Sequence, residues 1–91
     1  MTASSSTPLE SLPNIGPALA EALRDVGIGD AETLRAVGAL AAWDDLYAAG
    51  RFHCLTSLMS VAAAVDGVPK RVLDERTRTV LRRHHERRAQ T

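Results

Sequence analysis

Aromatic side chains are nearly missing from this chain: Trp43, Tyr47 and Phe52 are the only three among 91 residues. Alanine instead supplies much of the 45% apolar fraction. An alanine-rich, leucine-centred composition with few β-branched runs favours helices packed at close range over strands. The expected class is therefore all-α, a compact bundle of five to six short helices. Cysteine is equally scarce. Cys54 stands alone, which excludes an internal disulfide and gives no pointer to an oxidising compartment. Long apolar runs are absent too, none approaching the roughly 20 residues that span a bilayer, and the N-terminus lacks a basic-then-apolar signal. A cytoplasmic location is expected, with no membrane partner. Ninety-one residues make one domain, and a chain this short buries only roughly 60–65% of the surface its unfolded form exposes.

What the chain does have is charge, unevenly placed. Residues 1–69 carry three Lys/Arg against eight Asp/Glu, a balance of −5, and residues 70–91 carry eight against three, a balance of +5. The pattern describes an acidic body with a basic C-terminal helix. Its two halves either neutralise each other, within the fold or across a dimer, or leave the basic helix for a partner.

Turn and cap signals divide the chain. The small polar stretch 1–6 is expected to be disordered, followed by a single helical domain over 7–88 and a short tail over 89–91. Thr7-Pro8-Leu9-Glu10 reads as a capping box, with Thr7 and Glu10 bonding reciprocally. A helix from Pro17 to Val26 buries Leu19, Ala20, Leu23 and Val26, and Gly27 ends it. Asp30 caps a short helix that presents Leu34 and Val37 and ends at Gly38. A helix over 39–49 stacks Leu40, Trp43 and Tyr47. The next, over 54–66, is apolar over most of its circumference and belongs at the centre of a bundle. The last, over 72–88, has a thin apolar stripe of Leu73, Val80 and Leu81 beneath a basic surface. Ile15–Ala20 and Val37–Ala42 share the pattern apolar-Gly-x-x-x-Ala, 22 residues apart, as two tandem hairpin units would.

The string LPNIGPALAEAL over 12–23, with Gly27-Ile28 and Leu34 beyond it, resembles the helix-hairpin-helix motif. The turn residues are Pro13, Asn14, Ile15, Gly16 and Pro17. Asn14 and Gly16 tolerate a left-handed backbone, and Pro17 restarts a helix. The resemblance implies contact between the turn amides and a DNA backbone, read without sequence preference. Asn14 stands where the motif usually has glycine and sets a side chain where a phosphate would approach. Pro17 offers no amide, and Ala18 stands where lysine or arginine is common. With so few cations the turn is expected to grip DNA poorly and to serve packing.

A wider likeness covers about residues 9–82. LPNIGPALAEALRDVGI, TLRAVGALAAWDDLYAAG and LMSVAAAVDG, with Leu73 six positions after Gly67, resemble in order and spacing the C-terminal domain of the TfoX (Sxy) family of competence-related proteins. The resemblance implies an all-helical fold of helix-hairpin-helix character and a link to DNA transactions or transcriptional control. Lys70 stands in the stretch where the family often has tryptophan, and the basic tail beyond Arg82 is this chain's own.

Chemistry finds little purchase here. His53 and Cys54 are adjacent at a loop-to-helix junction and point apart, so Cys54 is expected as a small, partly buried group rather than a nucleophile. His84-His85-Glu86 lacks the helical spacing of a metal site, leaving His84 to extend the apolar stripe and His85 to solvent. Asp44-Asp45 is expected as helix-surface charge. No phosphate-binding glycine loop is present. The expectation is a protein that is not an enzyme, with no cofactor, no metal and no small-molecule substrate. Functional weight falls on the C-terminal helix. Arg76, Arg83 and Arg87 share one face, and Arg78, Arg82 and His85 a neighbouring one, with Arg88 beyond. Asp74 is placed to pair with Arg78, and Glu86 with Arg82 or Arg83. Two functions remain open. One is a module that contacts nucleic-acid backbone nonspecifically, duplex DNA foremost, through Arg76, Arg78, Arg82, Arg83, Arg87 and Arg88 with help from the Gly16 turn. The other is a protein-interaction module, homodimeric or adaptor-like.

Overall fold

In the computed structural model, which describes residues 6–90, the backbone follows its punctuation closely. Helices α1 (Pro17–Asp25), α2 (Ala31–Val37), α3 (Ala39–Ala48), α4 (Leu55–Asp66) and α5 (Glu75–Ala89) are joined by short links. Single 3-10 turns occupy Leu9–Ser11 and Lys70–Val72, and no strand occurs among the described residues. The all-helical class holds. The disordered segment expected over 1–6 falls mostly on residues 1–5, which lie outside the described residues.

Proline opens α1 at its first position and Gly27 closes it. At Gly27 the backbone turns left-handed, φ +88°, so the Ile28 amide reaches the Leu23 carbonyl at 2.9 Å and the Gly27 amide reaches Arg24 at 3.0 Å. Ile28 is thereby folded back into the core. The same pair of bonds ends α3 on Leu46 and Tyr47, and α4 on Ala63 and Ala64. Between α2 and α3 there is no loop at all. Gly38 alone makes the corner, at φ +90° and ψ 156°, a region closed to residues with a side chain.

The tandem pattern is physical. The Ala20 amide closes on the Gly16 carbonyl at 3.0 Å, and the Ala42 amide closes on the Gly38 carbonyl at 3.0 Å. Both alanines are fully buried where α1 and α3 pack. The two corners differ in which residue bends. Gly38 bends itself, whereas in the first unit Asn14 takes the positive φ of 72° and Gly16 stays extended at −88°.

Helix α4 occupies the centre, packed by α2, α3 and α5, with Leu58, Val61, Ala63 and Ala64 wholly buried. Trp43 of α3 is the largest buried side chain. Its indole N–H donates to the Ser57 hydroxyl at 2.9 Å, and Ser57 donates on to the Cys54 carbonyl at 2.6 Å. This chain of bonds is why the one tryptophan sits inside without an orphaned donor.

Several local expectations give way to tertiary partners. Thr7 and Glu10 form no capping box: the Thr7 amide and hydroxyl donate to the Glu32 carboxylate at 2.9 and 2.7 Å, and Glu10 forms a bidentate pair with Arg24. A 3-10 turn of three residues has too little helix for the reciprocal cap. Val37 and Val80 are exposed rather than buried, because α2 and α5 each turn a different edge toward the bundle. Helix α5 starts at Glu75, three residues later than expected, since Asp74 caps it by accepting from the Thr77 amide at 2.8 Å. Asp74 is thus a cap, not a partner for Arg78.

Candidate nucleic-acid interface

Two places in the sequence promise contact with phosphate, and the structure treats them differently. At the N-terminal turn, Leu12 and Ile15 anchor in the core while Pro13 and Asn14 are half-buried and Gly16 and Pro17 are exposed. The Asn14 side chain does not point at a prospective phosphate. Its Nδ2 donates to the Val68 carbonyl at 2.9 Å and its Oδ1 accepts from the Lys70 amide at 3.1 Å. The amide group thus clasps the loop that follows α4, more than fifty residues along the chain. Asparagine suits both roles, tolerating the left-handed backbone and satisfying two backbone groups at once.

At the other end, α5 lays its arginines on two faces, and the faces have different fates. Arg78 is consumed by the fold. Its guanidinium donates to the carbonyls of Leu73 at 2.9 Å and Lys70 at 3.2 Å, closing the 3-10 turn onto the helix. Arg82 pairs with Glu75 at 2.7 Å, so the expected partner Glu86 is not used. Arg88 stands 3.5 Å from the Asp44 carboxylate and 4.9 Å over the Tyr47 ring. Arg78 and Arg88 point back onto the body, whereas Arg82 is held along α5 itself by Glu75 and Thr79.

Arg76, Arg83 and Arg87 do not. Successive spacings of seven and four put them on one exposed stripe, with Val80, 49% exposed, between them. Among the described residues no hydrogen bond or ion pair engages Arg83 or Arg87, and Arg76 lies beside the cap carboxylate of Asp74. Arg76 and Thr77 together hold the Asp74 carboxyl below its ordinary range, the Thr77 hydrogen bonds contributing most.

The histidines have partners that their sequence neighbours do not reveal. His84 is not a plain apolar-stripe residue: its ring nitrogen lies 2.7 Å from Asp44, with only 14% of the side chain exposed. His85 contacts the His53 carbonyl at 2.9 Å rather than solvent alone. Both rings stand within about 6 Å of Trp43, and His53 meets Tyr47 edge-on at 5.1 Å. All three histidines of the chain therefore belong to the seam where α5 docks on α3. Asp44 is the carboxylate that fastens this seam, not idle surface charge. No group of His, Cys, Asp and Glu suited to a metal occurs among the described residues, and none of their helices is long and apolar enough to cross a membrane.

Cys54 is exposed, contrary to expectation, because it precedes α4 as its N-cap instead of lying within it. Hydrogen bonding from Ser57 holds its thiol below the ordinary range. The pair Ser57 and Ser60 is buried in a largely apolar helix. Two serines at i and i+3 on a core helix were the available signal.

Comparison with known proteins gives a family and a fold. The family model described as the TfoX C-terminal domain matches residues 5–85. A solved structure described as an uncharacterized protein from Listeria monocytogenes, in triclinic form, is 31% identical, with a TM-score of 0.83 over 86% of this chain and 89% of that one. A second, a protein of unknown function from the same organism in tetragonal form, is 30% identical, with a TM-score of 0.82 over 85% of this chain and 95% of that one. No curated protein matches the chain.

Proposed function

We propose, from the premise that this chain belongs to the TfoX C-terminal domain family, that it is a non-enzymatic module contacting the nucleic-acid backbone without sequence preference. The observation that carries the reading is the open stripe of Arg76, Arg83 and Arg87 on α5. Arg83 and Arg87 have no carboxylate partner, Arg76 has only the neighbouring Asp74 cap, and such guanidinium groups suit phosphate oxygens, which they meet in bidentate fashion. Contact of this stripe with phosphate oxygens would position the module without reading sequence. Arg78, Arg82 and Arg88 already have partners and shape the helix instead of the interface. Gly16 is a minor participant, exposed at the start of α1 but flanked by Pro17 and Ala18. Participation in transcriptional or competence control, in the cytoplasm, accords with this reading.

Fluorescence anisotropy with duplex DNA at several salt concentrations tests it. Three engaged arginines give a log–log slope of affinity on salt of about −3. Absence of binding at low salt would sink the reading. The rival is a self-association in which the stripe, with Val80 at its middle, docks on the acidic body of a second copy. It is favoured by exposed carboxylates such as Asp45 and Glu21, which pair with nothing among the described residues. Light scattering at rising concentration separates the two.

A further inference from the structure

A cleft of about 340 Å³ opens between the start of α1 and the start of α4. Its size falls within the range of small-ligand pockets, about 300–1,000 Å³. Pro17, Leu19 and Phe52 form apolar walls, Cys54 and Thr56 lie at its α4 side, and Ser60 reaches it from one turn further along α4. No Asp, Glu, Lys or Arg lines it.

Both helices that begin here begin uncapped. Neither Gly16 nor Cys54 supplies a side-chain bond to the first turn, whereas α2 and α5 are capped by Asp30 and Asp74. The amides of Ala18 and Leu19, both belonging to lining residues, consequently have no partner among the described residues, while the Thr56 amide faces the Cys54 sulfur. Each helix start carries a partial positive charge. The second observation is independent. Ser60 is only 6% exposed, yet its hydroxyl has no hydrogen bond among the described residues. Its equally buried neighbour Ser57 has two. That hydroxyl opens on the cleft between the two helix starts, where a ligand oxygen can accept from it.

We infer that this cleft binds a small amphiphilic carboxylate. Its head group takes the unpaired amides and the Ser60 hydroxyl, and its short apolar tail lies on Pro17, Leu19 and Phe52. A phosphate dianion suits the cleft less well, since no cation lines it to offset the lost hydration and the apolar walls would face nothing. The site stands apart from the arginine stripe and from the nucleic-acid reading built on it.

Cys54 supplies the readout. It is the only cysteine, exposed, and its thiol is held below the ordinary range, so it alkylates readily with iodoacetamide. Hexanoate is expected to slow that alkylation saturably, with a dissociation constant of order 1 mM for so small a ligand. Hexylamine and inorganic phosphate are expected to leave the rate unchanged. Ser60→Ala weakens hexanoate about five- to tenfold. Thr56→Glu, at an exposed position, removes the protection by placing a like charge at the mouth. Arg83→Ala leaves it intact. No saturable protection up to about 20 mM hexanoate, far above the expected constant, would overturn the inference. So would equal protection by hexylamine, which denies the charge preference, or by phosphate, which denies the apolar tail.

Discussion

The N-terminal turn and the C-terminal helix began with the same credential, a place for phosphate, and the structure separates them by where their side chains go. At the turn the polar side chain faces inward: Asn14 holds the Val68–Lys70 loop and leaves little to offer a partner. On α5 one row of arginines faces inward and another outward. In the first row Arg78 and Arg88 have carbonyl, carboxylate and aromatic partners that fasten the helix to the body, and Arg82 pairs along the helix with Glu75. The outward row of Arg76, Arg83 and Arg87 lies on open surface. Counting arginines therefore overstates an interface by a factor of two. A guanidinium already bound to backbone carbonyls cannot meet a phosphate without loosening the fold that presents it.

That contrast can be broken by substitution, beginning with the core on which both regions rest. Trp43→Ala is expected to destabilise by about 3–5 kcal/mol, since it empties a fully buried site under α4 and the α5 seam. Urea denaturation would register this as a lower midpoint, and a variant as stable as the parent would mean that the seam is not a core element. Asn14→Ala comes next, at about 2 kcal/mol, through a non-glycine left-handed backbone and two backbone groups left unpaired. The salt slope of DNA binding should not change with it; a shallower slope would return the turn to the interface.

The outward row gives the converse pattern. Replacing Arg76, Arg83 and Arg87 together by alanine should leave stability within about 0.5 kcal/mol and reduce the salt slope from about −3 toward zero. Arg78→Ala should do the opposite, lowering the melting temperature and sparing the slope. Equal behaviour of the two variants would dissolve the distinction between the rows.

Smallest is the response to acid. Thr33 holds the Asp30 carboxyl below its ordinary range, Thr77 that of Asp74, Arg24 that of Glu10 and Thr7 that of Glu32. A depressed folded value means that the stabilisation is fully present above the unfolded value, about 3.9–4.3 for carboxylates, and is lost as pH falls through the folded one. The melting temperature should hold steady from neutral pH down to about 5 and decline below about 4. A decline already complete at pH 5 would assign the acid sensitivity to other groups.

Glycines, prolines and leucine spacing were enough, in the sequence, to specify the helices and the class. Those signals act within a turn or two: Pro17 can only begin a helix, Gly27 folds Ile28 back onto Leu23, and Asp30 caps the amide three residues on. The alternation of apolar positions likewise put Leu19, Leu23, Leu34 and Trp43 inside. What stayed hidden depended on partners distant in sequence. Thr7 found Glu32, Glu10 found Arg24, Asp44 found His84, and Arg51 found Asp25. Each local rule offered a nearer partner or none, and tertiary contact overrode it. Which arginines are free, whether Asn14 faces solvent or the Val68 loop, and that two uncapped helix starts share one cleft are decided only when α1, α4 and α5 pack. Helix formation is governed by neighbours a few residues apart, whereas the availability of a polar side chain is governed by whatever the fold brings within 3 Å of it.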